Sequence, residues 1–104
     1  MAASPFMPLY IADYMADTAH LSTVEHGAYL LLIMNYWQRG GPLPDDDKKL
    51  ARIAGLQGRN WKRVRAEIEP FFVFRDGFWH HQRIDKQLAV MRSQSKRNSL
   101  NGTG

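Results

Sequence analysis

Leu30 to Met34 is an uninterrupted apolar run inside a longer stretch, GAYLLLIMNYWQR, whose apolar residues fall on every side at helical spacing. A helix that is apolar nearly all round reads as a central, buried one. Its start is marked at Leu21-Ser22-Thr23-Val24-Glu25, where Ser22 stands at an N-cap and Glu25 three residues on. That pair can exchange hydrogen bonds with two otherwise orphaned amides. The predicted helix ends at Gly40-Gly41. Upstream, residues 5 to 20 mix aromatic and apolar residues with two prolines and hold no single period, so the pattern predicts an irregular or short-strand lead-in.

After the connector Pro42-Leu43-Pro44, the acids Asp45-Asp46-Asp47 stand where a helix dipole presents its positive end. A short second helix is expected there, with Leu50, Ile53 and Ala54 inward, Lys48, Lys49 and Arg52 on its other faces, and Gly55 as its left-handed cap. Asn60 is the expected N-cap of a third helix on which Trp61, Val64 and Ile68 form one inward stripe. Pro70 ends it. Phe71 to Phe74 and Trp79 to His81 are β-prone runs joined through Asp76-Gly77, the strongest short-range signal for a tight hairpin. Gln82 to about Ser95 carries a narrow stripe of Ile84, Leu88 and Met91, enough to dock a helix on the body or on a partner, and KRNSLNGTG reads as a flexible tail.

The order of three helices followed by a hairpin predicts a mainly α fold with a small β-hairpin: a winged helix-turn-helix over residues 1–85, with an extra C-terminal helix and tail over 86–104. Leu50, Ala51, Ala54, Gly55, Leu56, Trp61 and Val64 fall where a helix-turn-helix needs its apolar, small and turn positions. The same pattern also suits a plain αα-hairpin; the Asp-Gly hairpin that follows favours the winged helix.

Charge sharpens this picture. Of the 104 residues, 14 are Lys or Arg and 10 are Asp or Glu, for a formal net charge of +4. Up to Asp47 there are six acids and one base, a net of −5; beyond it there are thirteen bases and four acids, a net of +9. A polyanion would choose the second part. With Trp61, Val64 and Ile68 inward, about 100° per residue turns Arg59, Lys62 and Arg63 outward, with Arg65 on the flank. Arg75 stands at the hairpin tip. The expected nucleic-acid contacts are therefore Arg59, Lys62, Arg63, Arg65 and Arg75, with Lys48, Lys49 and Arg52 as backbone contacts. The competing reading is a solvated face in which Glu67 and Glu69 pair with Arg63 and Arg65 for only about 0.2 to 0.5 kcal/mol each.

No cysteine is present, which excludes disulfides, thiolate metal sites and cysteine nucleophiles. The sequence lacks G-x-x-x-x-G-K and G-x-S-x-G, and neither Asp13, Asp17, His20, Glu25 and His26 nor His80, His81 and Asp85 has a recognised metal-ligand spacing. These histidines read as structural, and the aromatic residues as core. The chemistry thus points to a binding protein with no cofactor and no metal, not an enzyme. The Met1-Ala2-Ala3 start lacks signal-peptide features and no run is long enough to span a bilayer, so a cytoplasmic protein is expected.

Asp13-Tyr14-x-x-Asp17-Thr18-x-x-Leu21-Ser22-x-x-Glu25-His26-Gly27-Ala28-Tyr29 resembles the signature of the YdaU-like family of prophage proteins. Trp37, Pro42-Leu43-Pro44, Trp61, Phe71-Phe72 and Asp76-Gly77-x-Trp79 extend the resemblance over about residues 5 to 90. It implies a domain from a phage replication region, working near replication initiation, and agrees with a winged helix. DNA is the expected partner. The alternative is a module that recruits or blocks a replication factor through its acidic N-terminal region or the Ile84, Leu88 and Met91 stripe, with homodimerisation through the C-terminal helix as a further expectation.

Overall fold

The structure, a computed structural model, describes residues 4 to 102, and side chains from 4 to 94. The Met1-Ala2-Ala3 start and the end of the expected tail, Thr103-Gly104, lie outside the described residues. Five α-helices and three short strands run in the order α1 (Ile11–Asp17), α2 (Thr23–Arg39), β1 (Leu43–Pro44), α3 (Asp47–Ala54), α4 (Gly58–Ile68), β2 (Val73–Arg75), β3 (Phe78–His80) and α5 (Gln82–Gly102). The protein is mainly helical with one small antiparallel sheet. Among the described residues no helix is long and apolar enough to cross a membrane.

The central helix begins as its first turn dictates. Ser22 Oγ accepts from the Glu25 amide at 3.2 Å and Glu25 Oε1 accepts from the Ser22 amide at 2.8 Å, while Gly40 takes the left-handed conformation at the other end. α2 buries Ala28, Tyr29, Leu32, Ile33, Tyr36 and Trp37. It is not buried all round as the composition suggested, because Val24, Leu31 and Met34 remain exposed on the far side. α3 is capped by Asp46, which accepts from the Lys49 amide, and closes on Gly55 at φ +73°. α4 starts two residues before the expected cap: Gln57, not Asn60, is the N-cap, and Gly58 enters the helix at φ +49°. That is a backbone conformation open to glycine at little cost.

Two further differences from the sequence pattern have physical causes. The lead-in contains a helix, α1, that buries none of its residues and so leaves no apolar stripe to read. It is held through Tyr14, which packs against the core with its ring stacked on Tyr29 at 6.1 Å and its Oη 2.8 Å from His26 Nδ1, while the Thr18 hydroxyl closes the helix end on the Tyr14 carbonyl at 2.6 Å. Leu43-Pro44, expected as a connector, pairs with Trp79 and Phe78 and makes the sheet three-stranded, in the order β1-β3-β2. A two-residue edge strand containing proline carries no period of its own. The hairpin forms as expected, with Asp76 and Gly77 at φ +57° and +78°, the positive pair a type I′ turn requires.

α5 begins at Gln82 and continues to Gly102, through most of the expected tail, so position 85/86 lies inside a helix. Ile84 and Leu88 are 3% and 1% exposed in the same core as α2. That part of the stripe is spent on this chain's own packing and offers a partner nothing. Where α5 meets α2 the core contains a polar network. His81 Nδ1 accepts from the Ile84 amide at 3.3 Å, which places the ring proton on Nε2, 2.7 Å from Tyr29 Oη. Tyr36 accepts from the His81 amide at 2.9 Å and donates to Asp85 Oδ1 at 2.5 Å. Among the described residues no buried side-chain polar atom lacks a partner.

Burial, and then the nearby Arg83 charge, push the His81 imidazole from 6.5 down to about 4. The unfolded chain therefore takes up this proton before the folded one does. Stability is complete above about pH 6.5 and falls as the pH drops toward 4, by roughly 3 kcal/mol from this group. Urea unfolding between pH 7 and pH 4 should show that loss, and His81→Asn, which keeps a capping side chain without a titrating ring, should flatten it. An equal slope in the variant would assign the loss to other groups.

Candidate nucleic-acid interface

The surface built from α3, α4 and the hairpin is held in shape by two aspartates of the acidic run. Asp45 Oδ1 accepts from the Trp79 indole N–H at 2.8 Å, and the Asp45 amide donates to the Gly77 carbonyl in the hairpin turn at 2.9 Å. Asp47 Oδ1 accepts from the Trp61 indole N–H at 2.8 Å. Arg65 joins them: its guanidinium reaches Asp45 at 3.4 Å, Glu69 at 2.6 Å and Asp47, and lies 5.1 Å from the centre of the Trp79 ring. Trp61 and Trp79 stack at 6.3 Å, with Phe72 and Phe74 against Trp79 at 5.1 and 4.8 Å. The Trp61 N–H, and after it Arg65 and Lys62, hold the Asp47 carboxyl below the usual carboxylate range.

Buried indoles need an acceptor. The acidic run reads in sequence only as a helix start, and its second task is visible only once two buried tryptophans are counted against the available acceptors.

Around this cluster the sequence-selected cations divide into two groups. Arg65 is half-buried and engaged by three carboxylates, whereas Arg59, Lys62 and Arg63 on α4 and Lys48, Lys49 and Arg52 on α3 are exposed. None of those six makes an ion pair among the described residues; of the two pairs in the competing solvated-face reading, Arg65 with Glu69 forms and Arg63 with Glu67 does not. Arg75 is exposed at the end of β2, with its guanidinium 3.3 Å from His80 Nδ1. Between α3 and α4 runs a groove of about 560 Å³ in which Lys48, Arg52 and Lys62 surround Ala51, Leu56 and Trp61. Gly58 also lines it, and Gln57 supplies no side-chain cap; its carbonyl accepts from the Asn60 amide at 3.1 Å, which leaves the Gly58 and Arg59 amides open beside these cations.

The acidic and histidine sets from the sequence are dispersed over structural contacts. Asp17 pairs with Arg83 at 3.3 Å, Glu25 caps α2, His26 meets Tyr14, and His20 stacks on Phe71 at 5.9 Å. Among the described residues no three of the His, Asp and Glu side chains come together as a metal site.

Fold and surface together define a small, mainly helical domain with a three-stranded sheet and a cationic helical face. The chain belongs to the family described as "Protein of unknown function (DUF1376)", which matches it over residues 5–89. It is 49% identical over 102 residues to "Uncharacterized protein YdaU" of Escherichia coli (strain K12), an overlap of 98% of this chain and 35% of that protein. The chain thus spans about a third of the length of the curated relative it matches. No solved structure matches it.

Asp45→Ala leaves the Trp79 N–H buried without an acceptor and should cost about 1 to 3 kcal/mol in urea unfolding. Asp45→Asn keeps an acceptor oxygen and should recover most of that. Equal losses in the two variants would mean that the charge opposite Arg65, not the indole hydrogen bond, carries the effect.

Proposed function

We propose that this domain is a winged helix-turn-helix that binds duplex DNA, with α4 as the recognition helix and the β2–β3 hairpin as the wing. The order α2, β1, α3, α4, β2, β3, with β1 alongside β3, supports that architecture. The observation that carries the reading is the set of six exposed cations on α3 and α4, free of acidic partners among the described residues, beside an uncapped helix start. Phosphate oxygens are matched by cations and by open amides at a helix N-terminus.

Each side chain has a task in this reading. Arg59, Lys62 and Arg63 lie on the first turns of α4, the part of a recognition helix that enters the major groove. An arginine there can meet guanine O6 and N7 together. Lys48, Lys49 and Arg52 bind the flanking backbone, and Arg75 binds it from the wing. Arg65 supports rather than reads, since its hydrogen bonds are spent on Asp45, Asp47 and Glu69. Replication initiation is the setting we propose, on what the resemblance of the Asp13 to Tyr29 motif implies. The role is one of binding, without catalysis or cofactor.

Titration of short duplexes over a range of salt tests the proposal. About five phosphate contacts, at roughly −0.9 each, give a log–log slope of −4 to −5. Lys48→Ala should weaken every duplex alike and reduce that slope by about one, while Arg59→Ala or Arg63→Ala should also relax preference at a base pair. Lys86→Ala, on α5 outside this surface, should change nothing. No binding at low salt would overturn the reading.

A further inference from the structure

The side of α2 turned away from the core carries a second pattern that neither the fold nor the proposed DNA surface uses. Val24, Gly27, Leu31, Met34 and Gln38 follow one another at steps of three and four, and all are exposed, the three large apolar ones by 57%, 43% and 47% for Val24, Leu31 and Met34. This is the spacing of a helix–helix seam. The stripe contains no charged side chain, in a chain of which 23% is charged.

Gly27 is the informative member. It sits inside a regular helix, where glycine costs about 1 kcal/mol relative to alanine, and it is not among the residues of positive φ. A Cβ built on it would meet nothing within 4 Å. Neither packing nor backbone conformation within this chain calls for glycine there. A missing side chain in the middle of an exposed apolar stripe is a hole without a knob.

We propose that the stripe is the contact between two copies of this chain, packed α2 against α2 in antiparallel fashion about a two-fold axis near Tyr29. In that register Gly27 faces Leu31 of the second copy and Val24 faces its Met34, and symmetry repeats both pairs. Small meets large at the centre, so the stripe supplies both halves of its own complement. Charge selects the same occupant. The stripe is uncharged, so a polyanion or a charged peptide finds no counter-charge on it, whereas a second copy brings the same uncharged stripe. From Val24 to Met34 the stripe spans about 15 Å of helix axis, which limits the contact to the small end of specific interfaces, below about 1,200 Å². The dimer is weak and depends on concentration.

Sedimentation equilibrium of the full chain, without nucleic acid, from micromolar to millimolar concentration is the test, and it reads nothing that DNA binding would alter. A monomer–dimer equilibrium is expected. Leu31→Glu should leave only monomer with an unchanged circular dichroism spectrum, since Leu31 is exposed and lies outside the core cluster. Gly27→Ala should raise the melting temperature of the monomer, because the added methyl improves the helix in open space, and yet weaken the dimer about tenfold by filling the hole. A monomer at every concentration, or a dimer indifferent to Leu31→Glu, overturns the interface. A dimer undiminished by Gly27→Ala overturns the antiparallel register.

Discussion

The placement of two indole N–H groups on two aspartates is the constraint on which the rest of this structure depends. Trp61 lies on α4 and Trp79 on β3, and their acceptors, Asp47 and Asp45, lie at the junction of β1 and α3. One short acidic segment therefore fixes β1, α3 and α4 to one another and to β3, some thirty residues further on. The ion pairs of Arg65 are partly exposed and individually worth little. The indole bonds differ, because a buried donor left without an acceptor costs its full desolvation. Arg65 contributes by offsetting part of the negative charge of the three carboxylates and by covering the Trp79 face.

This constraint also decides where positive charge remains. The acidic first part of the chain does not spread its charge over the basic second part. Asp45 and Asp47 are committed to Arg65, and Asp17 to Arg83. Arg59, Lys62, Arg63, Lys48, Lys49 and Arg52 are left exposed on one helix pair. The overall charge of +4 understates this surface, since neutralisation is local and falls mainly on residues that hold the fold. The apolar stripe of α2 lies on the side turned away from its core packing, so a two-fold pairing through it leaves the cationic helices uncovered.

Much of the fold could be read from the chain because its signals are local. The Ser22 and Glu25 cap, the Gly55 stop, the Trp61, Val64 and Ile68 stripe and the Asp76-Gly77 turn each depend on a few adjacent residues. What escaped the sequence depends on contacts across it. α1 buries none of its residues, β1 is two residues long, and the end of α5 has too few apolar residues to mark a helix. The site divides in the same way. Helical geometry alone turns Arg59, Lys62 and Arg63 outward, but the engagement of Arg65 requires Asp45 and Asp47, about twenty positions away, to fold onto it. Gly27 was legible as part of a motif but not as a hole, because only packing reveals that nothing fills the space beside it.

The central claim is that α4, its groove with α3 and the hairpin tip form one DNA-binding surface. Backbone amide shifts of the isotope-labelled chain, followed by NMR as a short duplex is added at low salt, test it most directly. The account predicts the largest shifts at Gly58 to Arg63, smaller ones at Lys48 to Arg52 and at Arg75 to Gly77, and none along the outer stripe of α2 from Val24 to Met34. Shifts centred on α1, α2 or α5, with α4 silent, would contradict it.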